Sequence, residues 1–369
     1  MARKLKTDKW LFMATLLLVC ASVVMVYSAS AVLAMDRYQQ PYLFLMKQLT
    51  WAVLGLALFV AVMRIDYHQY KQPVVIWSLF AVVVLALVAV LFSRPINGTS
   101  RWFGMGGVGV QPSELAKLGA ILFAAAILER RMHRVPETAS ALLPIGIMVG
   151  VFSGLILLQP DFGTAVSLVA IIGVMVFAAG LPYRYLFGLA LVGLPTLAVV
   201  LLGADYRRRR VLAFLNPWED PLGDGFQIIQ SLIAVGTGGL VGRGLMGGVQ
   251  KLFYLPEPHT DFIYAVISEE LGLIGATVVL LCFCIITWRG LRIAVRAPDR
   301  FGAFLALGLT MMVAFQAFIN MSVVLGLLPT KGIPLPLVSA GGSSLLISLV
   351  GMGMLGNVSQ HATMYPADA

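Results

Sequence analysis

A short stretch of the chain gathers side chains that can move a proton. Residues 256–272 run from PEPHTDF to EELG and carry five ionisable groups at the mouth of an apolar helix: Glu257, His259, Asp261, Glu269 and Glu270. A carboxylate there can take a proton from a hydroxyl nucleophile. We predict that Thr260 caps the helix and that Asp261 lies in its first turn, a common position for Asp on capping grounds alone.

Two further places combine charge with a helix start. Pro112 suits the first position of a helix, and Glu114 and Lys117 would then be neighbours on one face. Asp161 follows Gln159-Pro160 at the start of a later apolar run. A structural salt bridge between helices explains the first pair as well as a functional role does. Because all three sites fall at the same membrane depth, we predict one polar cavity that includes Asp261.

Four adjacent arginines could bind an anion. They begin a loop rich in turn formers, and Arg makes bidentate contacts with phosphate, but a solvated loop is the simpler interpretation. The glycine-rich run at 236–248 lacks the context of a nucleotide-binding loop, and we predict flexible or re-entrant backbone, the latter tolerated only where protein or a wet cavity covers it. The arginines are Arg207, Arg208, Arg209 and Arg210.

Composition places these groups in a membrane protein. The 369 residues are 59% hydrophobic and only 12% charged, whereas a soluble domain carries about 25% charged residues. The net charge of +9 is spread in short clusters between apolar runs, a pattern typical of membrane topology and not of nucleic-acid binding. The cysteines and histidines show no spacing of metal ligands.

The predicted fold is an all-α integral membrane protein of about ten transmembrane helices. Lys and Arg concentrate in the short loops on the side of the N-terminus, which predicts that both ends are cytoplasmic. Residues 1–369 form a single polytopic domain, with a large extracytoplasmic loop at 203–260 between spans 7 and 8. The spans are predicted to begin near Trp10, Leu43, Val74, Pro112, Ala141, Phe162, Tyr185, Asp261, Phe301 and Gly341.

The same motifs, in this order, resemble the SEDS family, which comprises FtsW, RodA and their sporulation relatives. The resemblance covers essentially the whole chain. Its motifs are Asn97-Gly98 with Arg101-Trp102, QPSE at 111–114 with Lys117, Gln159-Pro160-Asp161, PE at 256–257 with HTDF at 259–262, EELG at 269–272, and the run from Gly332 to Ser344.

The resemblance implies a peptidoglycan glycosyltransferase that polymerises lipid II at the outer face of the bacterial cytoplasmic membrane. By that similarity Asp261 is the essential acidic residue, proposed to activate the hydroxyl of the acceptor sugar. Local motifs around Leu255 and Thr330 resemble the division members more than the elongation members. The substrate-binding positions expected from the family and the loops are Arg101, Glu114, Lys117, Asp161, Glu257, His259, Thr260, Lys331, Ser339 and Ser343.

The resemblance also implies partners. The expected ones are a class B penicillin-binding protein, whose transpeptidase would crosslink the strands, and other proteins of the division or elongation complex. No cofactor is evident, and a divalent cation at the lipid diphosphate stays open. The competing hypothesis is a lipid II flippase, for which charges at membrane depth are equally suitable, although a transporter should carry polar groups along both halves of its spans.

Overall fold

The computed structural model describes residues 7–93, 100–105, 108–131, 138–180 and 205–362, with isolated positions 188, 191, 193, 195 and 203. These residues form eleven α-helices and one antiparallel hairpin. The helices are α1 (Lys9–Tyr38), α2 (Leu43–Met63), α3 (Pro73–Leu91), α4 (Pro112–Arg131), α5 (Thr138–Leu158), α6 (Phe162–Ala178), α7 (Asp205–Leu215), α8 (Phe226–Gly238), α9 (Ile263–Arg296), α10 (Arg300–Val324) and α11 (Gly342–His361). The hairpin joins β1 (Phe103–Met105) to β2 (Val108–Val110).

The all-α prediction is confirmed. Six of the described helices, α1, α2, α3, α9, α10 and α11, are long and apolar enough to cross a membrane. Nine predicted span starts fall within three residues of a helix start. The tenth, near Tyr185, lies outside the described residues, and the predicted loop at 203–260 carries α7 and α8.

Helix α4 is the buried centre of the bundle. It begins with Pro112, and small residues such as Ala116, Ala120 and Ala124 are fully buried along it. Neighbouring helices α3, α5, α6 and α10 pack around it. Small side chains let helices approach closely in a membrane. The buried position of α4 carries Glu114 and Lys117 into the interior of the protein.

The end of the bundle remote from Asp261 ties both ends of the described chain together. Asp8 caps α1 and forms a buried ion pair with Arg289 of α9. Its backbone N–H donates to Ser359 Oγ at 3.2 Å, and Gln360 Nε2 donates to Thr7 Oγ1 at 2.9 Å. The first residues of α1 therefore lie against the last turn of α11.

Helix α9 is broken at Gly272. This residue has φ +64° and ψ −164°, a left-handed conformation that favours glycine. A break in a helix leaves N–H and C=O groups without partners inside the helix. Here the glycine-rich segment supplies them, because Leu273 N donates to Gly239 O at 2.9 Å and Arg243 N donates to Glu269 O at 3.0 Å. The predicted re-entrant backbone is therefore covered by protein at this contact.

Candidate active site

Asp261 lies in a turn before α9 and not in its first turn as predicted. The helix begins at Ile263, and its capping position, Phe262, makes no side-chain capping bond. Thr260 is therefore not the cap. Its hydroxyl turns back to the backbone carbonyl and carboxylate of Glu257 at 3.4 and 3.3 Å. The positive φ of Glu257, +50°, makes a separate turn that the capping argument did not include.

Hydrogen bonds from two other elements fix the backbone of Asp261. Asn320 of α10 donates to Asp261 O at 2.8 Å and to Ile333 O at 2.7 Å through the same nitrogen. Ser339 Oγ donates to Thr260 O at 2.5 Å. The loop at 325–341 and the turn that carries Asp261 are thus held together by α10.

The carboxylate of Asp261 faces Gly332. A Cβ added at Gly332 would lie 2.9 Å from Asp261 Oδ2, so any side chain there would crowd the carboxylate. In the described part of the chain, no hydrogen bond to this carboxylate occurs, and the residue is only partly exposed. Burial raises the pKa of Asp261 to about 7, Glu257 adds to the rise, and Arg210 and Arg101 oppose it.

Arg210 and Arg101 act on this carboxylate from separate elements, and Lys331 belongs to the loop that carries Gly332. Arg210, the last arginine of the cluster, donates to Thr330 O at 3.1 Å. Arg101 Nε donates to Gln159 O at 2.9 Å. Lys331 Nζ lies 4.7 Å from the centroid of the Phe162 ring. Burial lowers the pKa of Lys331, and the negative charge of Asp161 acts in the opposite direction.

The other arginines of the cluster differ from Arg210. Arg209 is largely exposed and pairs with Asp224 at 3.4 Å, and Arg208 is also exposed. The side chain of Arg207 lies outside what the structure describes, as do Asn97 and Gly98. The interpretation of a solvated loop therefore suits Arg208 and Arg209, and that of an anion site suits Arg210.

Asp161 joins the start of α6 to the start of α4. Its carboxylate caps α6 by accepting from Thr164 N at 3.2 Å, and it accepts from Thr164 Oγ1 at 2.7 Å and Gln111 Nε2 at 3.0 Å. Asp161 is buried and fully bonded. Its charge acts on both Asp261 and Lys331, so the start of α6 lies near these two residues, while the single polar cavity stays a prediction.

Glu114 and Lys117 form the predicted pair on α4. Lys117 Nζ donates to Glu114 Oε1 at 2.9 Å and to Gln316 Oε1 at 2.7 Å. Both charged side chains are almost completely buried. Gln316 Nε2 in turn donates to Pro334 O at 3.1 Å. The pair is thereby connected to the same loop that carries Lys331 and Gly332.

His259 and Ser343 contact groups other than the Asp261 carboxylate. His259 is buried with its ring centroid 4.7 Å from that of Phe44, and burial lowers its pKa while Glu257 acts to raise it. Ser343 Oγ accepts from Gln111 N at 3.2 Å. Both side chains hold neighbouring elements in place, as does Ser339, whereas Glu257 is exposed beside the turn.

Glu269 and Glu270 do not lie at the mouth of the helix with Asp261. Both are fully buried, and both bind the segment at 243–251. We call the cluster of Glu269, Glu270, Lys251 and Ser28 the clamp. Glu269 Oε1 accepts from Val249 N at 2.8 Å. Glu270 Oε1 accepts from Lys251 Nζ at 2.5 Å and from Ser28 Oγ at 2.7 Å. A helix rises 1.5 Å per residue, so Glu269 and Glu270 lie about 9–10 Å along α9 from its start and face other partners.

Sequence reasoning missed Gln316 and Asn320. They stand one turn apart on α10 and are buried, and each binds the loop at 325–341. A visible signal existed, since two amide side chains at i and i+4 in an otherwise apolar span need polar partners. Lys251 was also not predicted to be a buried ion-pair partner, since it follows Gln250 in a loop and local sequence gave no signal.

Comparisons with known proteins agree on one family. The FtsW/RodA/SpoVE family model, described as a cell cycle protein, matches residues 8–364. A protein of Geobacter metallireducens named probable peptidoglycan glycosyltransferase FtsW is 45% identical over 93% of this chain and 92% of its own length. Stage V sporulation protein E of Bacillus subtilis is 43% identical over 98% of this chain and 99% of its own.

Solved structures show the same architecture. A chain described under "Structural coordination of polymerization and crosslinking by a peptidoglycan synthase complex" is 33% identical, with a TM-score of 0.77 over 98% of this chain and 99% of its own. The rod shape determining protein RodA of Thermus thermophilus is 29% identical, with a TM-score of 0.71 and the same coverage of both chains.

Proposed function

The chain belongs to the FtsW/RodA/SpoVE family, and we propose that it polymerises lipid II into glycan strands with Asp261 as the general base. It is a multi-pass membrane protein and a peptidoglycan glycosyltransferase. The observation that carries the role of Asp261 is its carboxylate, which is partly exposed, faces Gly332 and has its pKa raised to about 7. A general base is most effective when its pKa lies near the working pH.

The chemistry requires one proton transfer and one displacement. The Asp261 carboxylate takes the proton of the acceptor hydroxyl as the hydroxyl oxygen attacks the anomeric carbon of the donor. The bond from that carbon to the diphosphate oxygen breaks, and the diphosphate leaves with the electron pair. Negative charge therefore accumulates on the diphosphate, where nearby cations stabilise it.

Arg210, Arg101 and Lys331 are the cations placed for this role. Arg210 and Arg101 are close enough to Asp261 to lower its pKa, and Lys331 adjoins Gly332, which the Asp261 carboxylate faces. Arg suits diphosphate because its planar group can make two parallel bonds. We assign Glu114, Lys117 and Asp161 a positioning role, because their polar atoms are engaged with Gln316, Gln111 and Thr164.

The cellular setting follows from the same proposal. Activity would take place at the outer face of the bacterial cytoplasmic membrane, with a class B penicillin-binding protein as partner. The relative from Geobacter carries the name FtsW, which favours a role in division. Polymerisation assays with and without a chelator test whether a divalent cation is required at the diphosphate.

Glycan polymerisation from purified lipid II tests the proposal. Wild type, Asp261→Ala and Asp224→Asn are compared in detergent, with and without the penicillin-binding partner. Asp224 is a matched control because it is a partly exposed carboxylate of the same region that forms an ion pair with Arg209. We expect long strands from wild type and from Asp224→Asn. We expect none from folded Asp261→Ala. Strands from Asp261→Ala at the wild-type rate would refute the role of Asp261, and lipid II translocation in liposomes without any strands would establish the flippase instead.

A further inference from the structure

The glycine-rich segment at 239–246 exposes apolar side chains on both sides of Arg243, whose guanidinium lies 3.7 Å from Glu269. Leu240 is 69% exposed, Val241 75%, Leu245 56% and Met246 46%. Exposed apolar residues scattered singly are ordinary on a protein surface, but a contiguous patch marks a contact with another apolar body. This segment is neither a helix nor a strand, so its apolar side chains do not result from a spanning helix.

The backbone of the segment is satisfied by α9. Leu273 N and Ile274 N donate to Gly239 O and Leu240 O at 2.9 and 3.2 Å. In the opposite direction, Arg243 N and Gly244 N donate to the carbonyls of Glu269 and Glu270 at 3.0 and 2.9 Å. Irregular backbone is excluded from contact with hydrocarbon unless its polar groups are paired. This segment directs those groups at α9 and leaves side chains on its other surface.

Helix geometry gives the depth of the segment. Leu273 lies about 24 Å along α9 from Arg289, at a rise of 1.5 Å per residue. Arg289 pairs with Asp8 at the remote end of the bundle. From Asp8, Ser28 lies about 30 Å along α1, and Ser28 binds Glu270. Since the hydrocarbon core is about 30 Å thick, Glu270 falls near its edge and Leu273 slightly inside it.

The surface beside the segment belongs to a spanning helix. Leu273 and Ile274, its hydrogen-bonding partners, are 58% and 59% exposed, and α9 is apolar enough to cross a membrane. Exposed apolar residues on such a helix face lipid. The exposed side chains of Leu240 and Val241 extend this lipid-facing surface from the helix onto the segment.

We propose that residues 239–246 are a membrane foot that enters the leaflet on the Asp261 side, where Leu240, Val241 and Leu245 contact lipid acyl chains. Amphipathic segments enter that boundary by about 5–10 Å, which agrees with the depth of Leu273. The partner of this surface is the bilayer itself. The clamp of Glu269, Glu270, Lys251 and Ser28 links the foot to the half-helix that follows Asp261.

Spin-label accessibility in proteoliposomes tests this proposal without any assay of activity. Cys20, Cys282 and Cys284 are first replaced by serine or alanine, and single cysteines are introduced by Val241→Cys, Leu281→Cys and Glu219→Cys. Leu281 is an exposed residue within the span of α9, and Glu219 is an exposed charged residue of the loop. They serve as the lipid and water controls.

We expect oxygen, which concentrates in lipid, to enhance the relaxation of a spin label at position 241, and a water-soluble nickel chelate to have little effect on it. The label at position 281 should behave in the same way. Accessibility to the chelate equal to that at 219 overturns the proposal and identifies a water-facing patch open to a protein partner. Leu245→Cys repeats the measurement at a second position. If labelling at one of these two positions changes the melting temperature relative to the cysteine-free protein, the conclusion is drawn from the other position.

Discussion

The Asp261 site and the clamp use the same kind of side chain in opposite ways. Glu270 is fully buried and accepts bonds from Lys251, Ser28 and Met246 N. Asp261 is only nine residues away, partly exposed, and surrounded by cations that bind elsewhere. A buried charge whose bonds are all made within the protein contributes to structure, while a carboxylate left without a donor is available to a substrate.

Burial therefore does not identify the reactive residue here. Glu269 and Glu270 are fully buried carboxylates, and each accepts several bonds from the protein. What distinguishes Asp261 is the combination of a raised pKa, an adjacent Gly332 that leaves space, and cations close by. Four predictions, from the largest expected effect to the smallest, test this contrast.

Asp261→Asn is expected to lower polymerisation by about 10²–10⁴-fold, the usual contribution of a general base. It should also raise the melting temperature above pH 7. The pKa of Asp261 is higher in the folded protein than in the unfolded chain, so its stabilising contribution is lost as the pH rises through about 7. Asn does not ionise and escapes that loss. Melting curves of wild type and Asp261→Asn at pH 5 and pH 8 check this. A variant that melts at a lower temperature than wild type at pH 8 would contradict it.

Glu270→Gln is expected to destabilise the protein by about 3–5 kcal/mol, because it leaves Lys251 buried without its counter-charge. Thermal unfolding in detergent measures the change. The double variant Lys251→Met, Glu270→Met should recover part of the loss, since it leaves no charge unpaired. If Glu270→Gln melted like wild type and instead lost only activity, the contrast between the two regions would fail.

Activity is expected to fall about tenfold per pH unit below the pKa of Asp261, near 7, because the protonated carboxyl cannot accept the hydroxyl proton. Initial rates of strand formation between pH 5 and pH 8.5 give this acid limb. Buffers of equal ionic strength keep the screening of the nearby cations constant. An acid limb near pH 4 would show that Asp261 titrates as an ordinary carboxyl group.

The neighbours of Asp261 should move that acid limb in opposite directions. Arg210→Gln removes a charge that lowers the pKa of Asp261 and should shift the limb to higher pH, whereas Glu257→Gln removes one that raises it and should shift the limb to lower pH. Arg209→Gln is the matched control, because Arg209 pairs with Asp224 in solvent. Shifts of the same sign for Arg210→Gln and Glu257→Gln would refute this electrostatic account.

Local patterns predicted much of this arrangement. Pro112, Glu114 and Lys117 lie within one helical turn and a half, so their spacing alone gave the ion pair that the structure confirms. The start of an apolar run at Asp161 was also predicted from local sequence, whereas its capping bond to Thr164 was first seen in the structure. Contacts of this kind depend on helix geometry and need no knowledge of the tertiary fold.

The rest depends on contacts between distant residues. Ser28 and Glu270 are separated by 242 positions, and no local spacing indicates that they meet. The break at Gly272 was missed for the same reason, since its stability comes from hydrogen bonds to Gly239 and Arg243. The membership in a family, by contrast, followed from motifs read in order along the chain and is confirmed by the matching family model.

Hydrogen bonds join Thr7 to Gln360 and Asp8 to Ser359. These contacts bear on whether the number of membrane crossings is odd or even. Because ends that touch lie on one side of a membrane, we expect the chain between them to cross it an even number of times. Reporter proteins fused before residue 7 and after residue 362 must then reside in the same compartment. A pH-sensitive fluorophore would give the same reading from either fusion.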